Sequence, residues 1–339
     1  MTRDVAALER EIEALAAAGF AGVVRVDVAG TPVLRAAYGL ADRARAIPMT
    51  VGTRLAIASG AKTLTALAVL SLVDDGVLGL ATTARSLLGD DLPLVADDVT
   101  VEHLLAHRSG IGDYLDEDTG FDVGDYLMPR PVHELVDTED YLPILDGHAT
   151  KFPAGTGFSY CNGGYVLLAL LAERASGIGF HELVRQRVTA RAGMDDTAYL
   201  RSDDLPGDAA LGYVRVDGAW RSNVFHLPVL GTGDGGAFTT VDDLHRFWPA
   251  LLDGRIVSPA LVSEMLRPRS EPDEHGRTYG LGLWLYPETG ELVVSGYDAG
   301  VSLISVHDRV RGTTHTVIAN TVDGARPVHQ AVEAFLQGP

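Results

Sequence analysis

The chain has 339 residues, of which 46% are hydrophobic and 22% are charged, ordinary values for a globular protein of one or two domains. Its 46 acidic residues outnumber its 27 Lys and Arg, and the net charge of −19 argues against nucleic acid and anionic membrane surfaces as partners. The single cysteine, Cys161, excludes an intrachain disulfide and a cysteine-rich metal site.

The first predicted element is an amphipathic helix with Val5, Leu8, Ile12 and Leu15 on one face. This segment lacks the apolar core and cleavage site of a secretion signal, and no run in the chain reaches the length of a membrane span. If Met1 is the native start, we expect a cytoplasmic protein with no membrane span. Two strand-like runs follow, GVVRVDVAG and TPVLRAAYGLA, joined as a hairpin at Gly30.

A helical region begins near Ser59. The run KTLTALAVLSLV is apolar all round, which is typical of a helix buried on most sides, and Asp75-Gly76 is expected to end it. Two further helices, TVEHLLAHRSG and NGGYVLLALLAERASG, each close with a glycine. Between them, residues 112–155 are rich in Asp, Gly and Pro and are predicted to form a long loop or lid.

Strands return near residue 211. LGYVRV and AWRSN flank Asp217-Gly218, a hairpin signature, and a final helix, ARPVHQAVEAFLQ, follows four predicted strands: TYGLGLWLY, GELVVSGYD, VSLISVHD and TTHTVIAN. We therefore predict an α/β (α+β) fold in which a mainly antiparallel sheet is flanked by the terminal helices. Residues 1–57 and 206–339 would form this sheet lobe and residues 58–205 an inserted helical lobe, with a small-molecule site in the cleft between them.

Ser59 and Lys62 form a Ser-x-x-Lys motif at the start of the buried helix. Only two of the 27 basic residues are Lys, so a chain that otherwise uses Arg keeps a Lys at an apolar site. Burial disfavours the charged form of a lysine, which can then act as a base, whereas Arg does not give up its proton. The alternative interpretation is an N-cap serine followed by a snorkelling lysine.

A second motif, Tyr160-Cys161-Asn162, also precedes a helix, within FPAGTGFSYCNGGY. A phenol at this position can carry protons, and an amide can orient a substrate carbonyl or the lysine. The alternative is a tyrosine packed on the core and Asn162 as the N-cap of its helix.

These stretches, together with GDGGAFTTVDDLHRF and YGLGLW, resemble the serine β-lactamase and penicillin-binding-protein-like superfamily, in its class C β-lactamase-type branch of esterases and peptidases. The resemblance covers almost the whole chain and implies a β-lactamase-like fold. It also implies that Ser59 is the nucleophile, Lys62 its base, and Tyr160 and Asn162 the second active-site pair. Cys161 stands where the family commonly has a serine, and it is not the nucleophile.

A third family motif, usually Lys-Thr-Gly, His-x-Gly or a Trp-containing equivalent, departs from the pattern. The matching stretch is SGYDAGVSLIS, with Tyr297 in place of the Lys or His and Asp298 after it. The resemblance implies an oxyanion hole at the backbone N–H groups of Ser59 and Gly300. Backbone N–H groups remain available as donors when the side chains change, so acyl chemistry remains possible. The missing cation weakens recognition of a substrate carboxylate.

We therefore predict a serine hydrolase that acts on an ester or amide of a neutral or cationic small molecule, without metal or cofactor. The alternatives are an acyltransferase of a biosynthetic pathway, a true β-lactamase or D-Ala peptidase, and a ligand-binding or sensor protein with weak turnover. The glycines of GTGDGG at 231–236 lack the βαβ frame of a dinucleotide site. The sequence does not specify the oligomeric state.

Overall fold

The computed structural model describes residues 4–120 and 126–338. The helices of these residues are α1 Val5–Ala17, α2 Ala61–Asp74, α3 Arg85–Leu88, α4 Val101–Leu105, α5 Leu142–Leu145, α6 Asn162–Ser176, α7 Phe180–Val184, α8 Ala190–Ala192, α9 Val241–Leu252, α10 Pro259–Met265 and α11 Ala325–Gln337. A π-helical segment at Arg185–Thr189 connects α7 to α8. No helix in this part of the chain is both long enough and apolar enough to cross a membrane.

The strands in the same residues are β1 Gly22–Val28, β2 Thr31–Tyr38, β3 Leu40–Asp42, β4 Ile47–Pro48, β5 Leu55–Ala56, β6 Ala198–Tyr199, β7 Tyr213–Val216, β8 Ala219–Ser222, β9 Ala237–Thr239, β10 Thr278–Tyr279, β11 Trp284–Tyr286, β12 Glu291–Asp298, β13 Val301–Asp308 and β14 Thr313–Ala319. Seven of them form one sheet in the order β10-β11-β12-β13-β14-β1-β2. Every neighbouring pair in this sheet is antiparallel.

The terminal helices cover one face of the large sheet. Leu8 and Ile12 of α1 and Val328 and Val332 of α11 join the inward side chains of β1, β2 and β14 in one buried cluster. The apolar stripe predicted for the N-terminal helix therefore faces the sheet, and the C-terminal helix, predicted only as a helix, also turns its apolar residues to the sheet. A larger cluster on the other side includes α2, α6 and α9. The predicted α/β fold, with a mainly antiparallel sheet and terminal helices, is confirmed.

Helix α2 lies at the centre of the molecule. Its Ala- and Leu-rich sequence favours a helix, and twelve of its residues are buried, so it has no solvent face. It ends as predicted, with Asp75 as C-cap and Gly76 at φ 70°. The predicted turns at Gly30 and Asp217-Gly218 also form, the latter as the β7–β8 hairpin.

The prediction of one strand for TYGLGLWLY is wrong. β10 and β11 are separate and pair with each other as a hairpin. Gly282 adopts φ 95°, and a Cβ there would lie 2.3 Å from the Cβ of Ala66, so the chain turns where only glycine fits against α2. The helix predicted for TVEHLLAHRSG is short, because it ends before His107, which has φ 55°.

The predicted lid, residues 112–155, is less irregular than its composition indicates. Its described part contains 3₁₀ turns at Glu117–Thr119, Val132–Glu134 and Thr138–Tyr141, and helix α5. Residues 121–125 of this segment lie outside the described residues. The lobe boundaries at residues 57/58 and 205/206 stay a prediction, although helices α2–α8 all fall between them.

Candidate active site

Ser59 lies in a 3₁₀ turn, Ala58–Gly60, that leads directly into α2. Ala58 adopts φ 44°, a left-handed conformation that is costly for a residue with a Cβ. The turn packs against the backbone of β12, because a Cβ built at Gly296 would lie 2.7 Å from the Ser59 nitrogen and 2.6 Å from the Gly60 nitrogen. Ser59 is thereby fixed between α2 and the large sheet, with its side chain on a cleft.

Lys62 lies one turn further along α2 and is only 1% exposed. Its Nζ is 2.9 Å from Ser59 Oγ, 2.7 Å from Asn162 Oδ1 and 2.9 Å from the Asp234 carbonyl oxygen. No hydrogen bond joins it to a carboxylate in the part of the chain that the structure describes. The snorkelling interpretation is therefore wrong, since the amine faces the protein interior and not solvent.

Tyr160 lies close to the same serine, because the Ser59 side chain is one of the groups that act on the pKa of its phenol. Its ring lies 5.0 Å from Lys62 Nζ, stacks with Trp284 at an interplanar angle of 8°, and has its centroid 4.2 Å from that of His107. Burial, and next the nearby Glu117, hold the pKa of this phenol well above its usual range, although the Ser59 side chain opposes the shift. The phenol is therefore neutral and able to donate a proton.

Asn162 is not the N-cap of α6. Cys161 takes that position, with its Sγ accepting the Gly164 N–H at 3.2 Å, and the buried Asp113 carboxylate accepts the N–H groups of Asn162 and Gly163 at 2.6 and 2.8 Å. The Asn162 side chain is thus free of capping, and its Nδ2 donates to the Leu115 carbonyl and to Glu117. This orientation presents Oδ1 to Lys62.

Tyr297 and Asp298 both line the cleft. The Tyr297 hydroxyl donates to Glu117 Oε2 at 3.3 Å, and the Tyr297 side chain is half exposed. Asp298 Oδ1 accepts the Ala299 N–H at 2.7 Å. Burial raises the pKa of Asp298 to about 6, with Asp234 and Glu117 adding to the shift and Lys62 opposing it.

Gly300 is not brought to this site. It lies in the turn between β12 and β13 at φ 74°, and a Cβ there would lie 2.6 Å from the Tyr213 nitrogen and 2.9 Å from the Gly212 carbonyl carbon. It is absent from the residues that line the cleft. The glycine that approaches Ser59 is Gly296, which shows that the sequence-based register of this motif is displaced toward the turn.

The cleft has an empty volume of about 1170 Å³, counting the part that opens to solvent, and its walls are mainly apolar. Three carboxyl groups, those of Glu117, Asp234 and Asp298, line it. Among the described residues that line it, none is Lys or Arg. Burial also raises the pKa of Asp234, which accepts a hydrogen bond from the Tyr114 hydroxyl at 2.5 Å.

Glu117 and Asp234 are site residues that sequence reasoning missed. Glu117 comes from the irregular segment predicted as a lid, where no periodicity marks its orientation. Asp234 lies in the GTGDGG stretch, whose spacing suggests only a dinucleotide motif, although the adjoining GDGGAFTTVDDLHRF resembles the family. The Gly residues around Asp234 were the available signal, since they allow its backbone carbonyl to reach Lys62.

A mainly antiparallel sheet, a buried helix that starts at a serine, and a lysine and a tyrosine on that serine together define a protein of the active-site serine β-lactamase and penicillin-binding-protein class. The chain belongs to the Beta-lactamase family, whose model matches residues 8–336. The family recognised from the sequence motifs is therefore confirmed.

Several relatives and solved structures support this assignment. The chain is 28% identical to penicillin-binding protein 4* of Bacillus subtilis over 81% of its own length and 62% of that protein, and 32% identical to a D-aminopeptidase of Cereibacter sphaeroides over 72% and 46%. It thus spans less than two thirds of the length of each of these two relatives.

Among solved structures, the penicillin-binding protein of Bacillus halodurans superposes with a TM-score of 0.90 at 35% identity, covering 96% of this chain and 99% of that one. The D-amino acid amidase of Ochrobactrum anthropi SV3, complexed with D-phenylalanine, gives 0.77 at 25% identity and 98% coverage of both chains. At the level of the family, the prediction of an enzyme of the hydrolase class is confirmed, since these relatives are named aminopeptidase and amidase.

Proposed function

We propose that this protein is a serine hydrolase that cleaves an ester or amide bond of a small-molecule or peptide-like substrate through an acyl-enzyme on Ser59. The observation that carries the proposal is the contact of Lys62 Nζ with Ser59 Oγ at 2.9 Å, beside the Tyr160 ring, whose centroid is 5.0 Å from the same Nζ. A nucleophile with a base and a separate proton donor at the mouth of a cleft is the arrangement that acyl transfer requires.

The surroundings of Lys62 support its role as the base. A neutral amine has two N–H groups and one lone pair, and two of the three oxygens around Nζ, those of Asn162 and Asp234, act only as acceptors. When they take both N–H groups, the lone pair points toward Ser59 Oγ. Lys62 then accepts the Ser59 proton as the oxygen attacks the substrate carbonyl carbon.

The resulting oxyanion needs donors, and the strand register indicates where they lie. Asp298 pairs with Val301 across the turn, so alternation along an antiparallel strand turns the N–H of Tyr297 away from β13. β11 pairs only as far as Val293, and that edge of β12 is therefore open beside Ser59. We infer that the N–H groups of Ser59 and Tyr297 form the oxyanion hole, in place of the predicted Gly300.

Tyr160 would deliver the proton to the leaving group. Its raised pKa keeps the phenol protonated, and its position beside Lys62 and Ser59 suits it to act at the bond that breaks. After the alcohol or amine leaves, the Tyr160 phenolate takes a proton from the water that attacks the acyl-enzyme, and Lys62 returns its proton to Ser59 Oγ as the acyl group departs. Proton transfer by a positioned group contributes typically about 10²–10⁴-fold to the rate.

The cleft favours a substrate without a carboxylate next to the reacting carbonyl. Its charged groups are the acids Glu117, Asp234 and Asp298, and an anionic acyl group would meet like charge there. A cationic acyl group, such as the free ammonium of an amino acid amide or ester, would be stabilised instead. The names of the D-aminopeptidase and D-amino acid amidase relatives agree with this substrate class.

The test compares the unmodified protein with Ser59→Ala, using the p-nitroanilides and p-nitrophenyl esters of D- and L-alanine. We expect p-nitroaniline or p-nitrophenol release by the unmodified protein, a transient mass increase equal to one alanyl group, and neither in Ser59→Ala. The exposed Ser263→Ala is the matched serine control and should behave like the unmodified protein.

Three outcomes separate the alternatives. A permanent adduct would identify a sensor, and product formation only when an acceptor amine or alcohol is added would identify an acyltransferase. Full turnover by Ser59→Ala would disprove the proposed mechanism.

A further inference from the structure

A second group of side chains that can bind ligands lies outside the lining of the cleft, between the sheet and the C-terminal helix. His315 is on β14, and His329 and Glu333 are on α11. Positions four residues apart lie on one face of a helix, so the helical pair faces the strand residue together. One ligand atom from each of the three side chains lies within 4.8 Å of the others.

The separations within this group are short. His315 Nε2 is 2.9 Å from His329 Nδ1 and 3.5 Å from Glu333 Oε1. The rings of the two histidines are nearly parallel, at an interplanar angle of 20°. Nitrogen and oxygen ligands at about 2.0–2.2 Å from a tetrahedral Zn²⁺ are about 3.3–3.6 Å apart. To bind an ion, His315 Nε2 and His329 Nδ1, which are 2.9 Å apart, therefore need to move only slightly farther from each other.

The position of His315 is unusual for a polar residue. Its side chain is 1% exposed, and it shares its strand face with Val317 and Ala319, which belong to the apolar cluster under α11. A buried histidine in an apolar layer costs free energy unless a partner compensates it. The partners that α11 supplies are a second imidazole and a carboxylate, which is the donor set of a transition-metal site.

The charges around the group also suit a cation. Glu333 lies near the carboxyl groups of Glu291 and Asp308, with Arg311 as their counterion. Arg326 lies near His329, and His245 near His315, and these two groups oppose a positive ion. The carboxylates of Glu333, Glu291 and Asp308 outnumber the guanidinium groups of Arg311 and Arg326, and His245 has its own acidic neighbour, with its Nδ1 2.9 Å from Asp27.

We propose that His315, His329 and Glu333 form a binding site for a first-row transition metal ion, with Zn²⁺ as the best match. Two imidazole nitrogens and one carboxylate oxygen would supply three ligands, and water would complete a tetrahedron. The ion would join α11 to β14 and so stabilise the C-terminal helix on the sheet. The site has no part in the reaction at Ser59.

The experiment uses the full chain, freed of metal with a chelator and then titrated with ZnCl₂ near neutral pH by calorimetry. We expect one tight site per chain. His329→Ala and Glu333→Gln should each weaken it by more than about tenfold, since even partners outside the ligand shell change metal affinity 10–100-fold. Both residues are only partly buried, and circular dichroism would verify that the variants fold.

The control is His275→Ala, which removes an exposed histidine whose Nε2 lies 3.6 Å from Glu274. It should bind Zn²⁺ as the unmodified protein does. A Co²⁺ titration gives an independent measurement, since a four-coordinate ion should develop strong visible absorption that is lost in His329→Ala. The absence of a tight site, or equal binding by both site variants and the unmodified protein, would overturn the proposal.

Discussion

Lys62, the base of the proposed mechanism, makes no hydrogen bond to a carboxylate among the described residues. Its hydrogen-bond partners among the described residues are the Ser59 hydroxyl and two neutral carbonyl oxygens. Carbonyl oxygens orient an amine in either protonation state, whereas a carboxylate partner would favour the ammonium form. Asp234 contributes its backbone oxygen here, and its carboxyl group is directed instead to the Tyr114 hydroxyl.

The Lys62→Arg variant tests whether the side chain at position 62 must accept a proton. Arg keeps the positive charge but does not release a proton, so we expect an activity close to that of Lys62→Ala and below the unmodified protein by at least about 10²-fold. The measurement is kcat/KM for an alanine ester, with Lys151→Arg as the matched control. Lys151 contacts Asp116 and Asp118 and lies outside the residues that line the cleft. Substantial activity in Lys62→Arg would make Lys62 an electrostatic residue.

Asp298 provides a prediction about pH. Because burial raises its pKa to about 6, the group is neutral below that pH and becomes a carboxylate above it. For a substrate with a free ammonium, kcat/KM should therefore rise as the pH increases through about 6. Asp298→Asn should remove this rise and lower kcat/KM at higher pH by roughly 10- to 150-fold, the value of one charge-assisted contact.

The neutral N-acetyl form of the same substrate is the control for that experiment. Asp113 also has its pKa raised to about 6 by burial, but it caps α6 and does not line the cleft. Its titration would affect both substrates alike. An equal pH profile for the two substrates would show that Asp298 does not meet the ammonium.

At the scale of elements, the open edge of β12 is the feature that makes the site. β11 stops pairing at Val293, and residues 294–298 pass the Ser59 turn with only β13 beside them. Gly296 is the point of closest approach, because the atoms that a Cβ there would meet are all backbone: Ile57 oxygen at 2.4 Å and the nitrogens of Gly60 and Ser59. Backbone atoms cannot rotate away as a side chain can.

Gly296→Ala should therefore displace β12 from the turn and widen the proposed oxyanion hole. We expect kcat to fall by about 10²-fold or more, comparable to the loss of one oxyanion donor, while KM changes less. The matched control is Gly52→Ala, where a Cβ would meet no atom within 4 Å. If Gly296→Ala retained normal kcat, the close approach would have no catalytic consequence.

The contrast between Gly296 and Gly300 also shows what the sequence can predict. Local signals were sufficient for the apolar helix α2, for the hairpin at Asp217-Gly218 and for the residues of both helix-start motifs. Choosing between Gly296 and Gly300 requires the register of β12 against a turn more than 200 residues earlier in the chain. The same holds for Glu117, whose partners Asn162 and Tyr297 are both distant in sequence.

At the scale of the whole molecule, the net charge of −19 and the acids of the cleft would act on the proposed substrate over different distances. The field of surface charges is screened over about 10 Å at 0.1 M salt and about 3 Å at 1 M. Contacts inside a partly closed cleft are screened much less. Salt should therefore separate general electrostatic attraction from recognition by Glu117 and Asp298.

The measurement is kcat/KM for three alanine p-nitroanilides with the same leaving group: the free ammonium, the neutral N-acetyl and the anionic N-succinyl compound. We expect the cationic compound to be preferred over the anionic one by at least about tenfold at low salt, because the anionic compound loses one charge-assisted contact.

High salt should reduce this preference for the cationic compound only in part. Glu117→Gln and Asp298→Asn should reduce it further at every salt concentration, whereas the exposed Asp253→Asn, which changes the net charge by the same amount, should not. If the anionic compound were the best substrate, the acids of the cleft would not face the acyl group, and a substrate with a carboxylate, including a β-lactam, would become the better hypothesis.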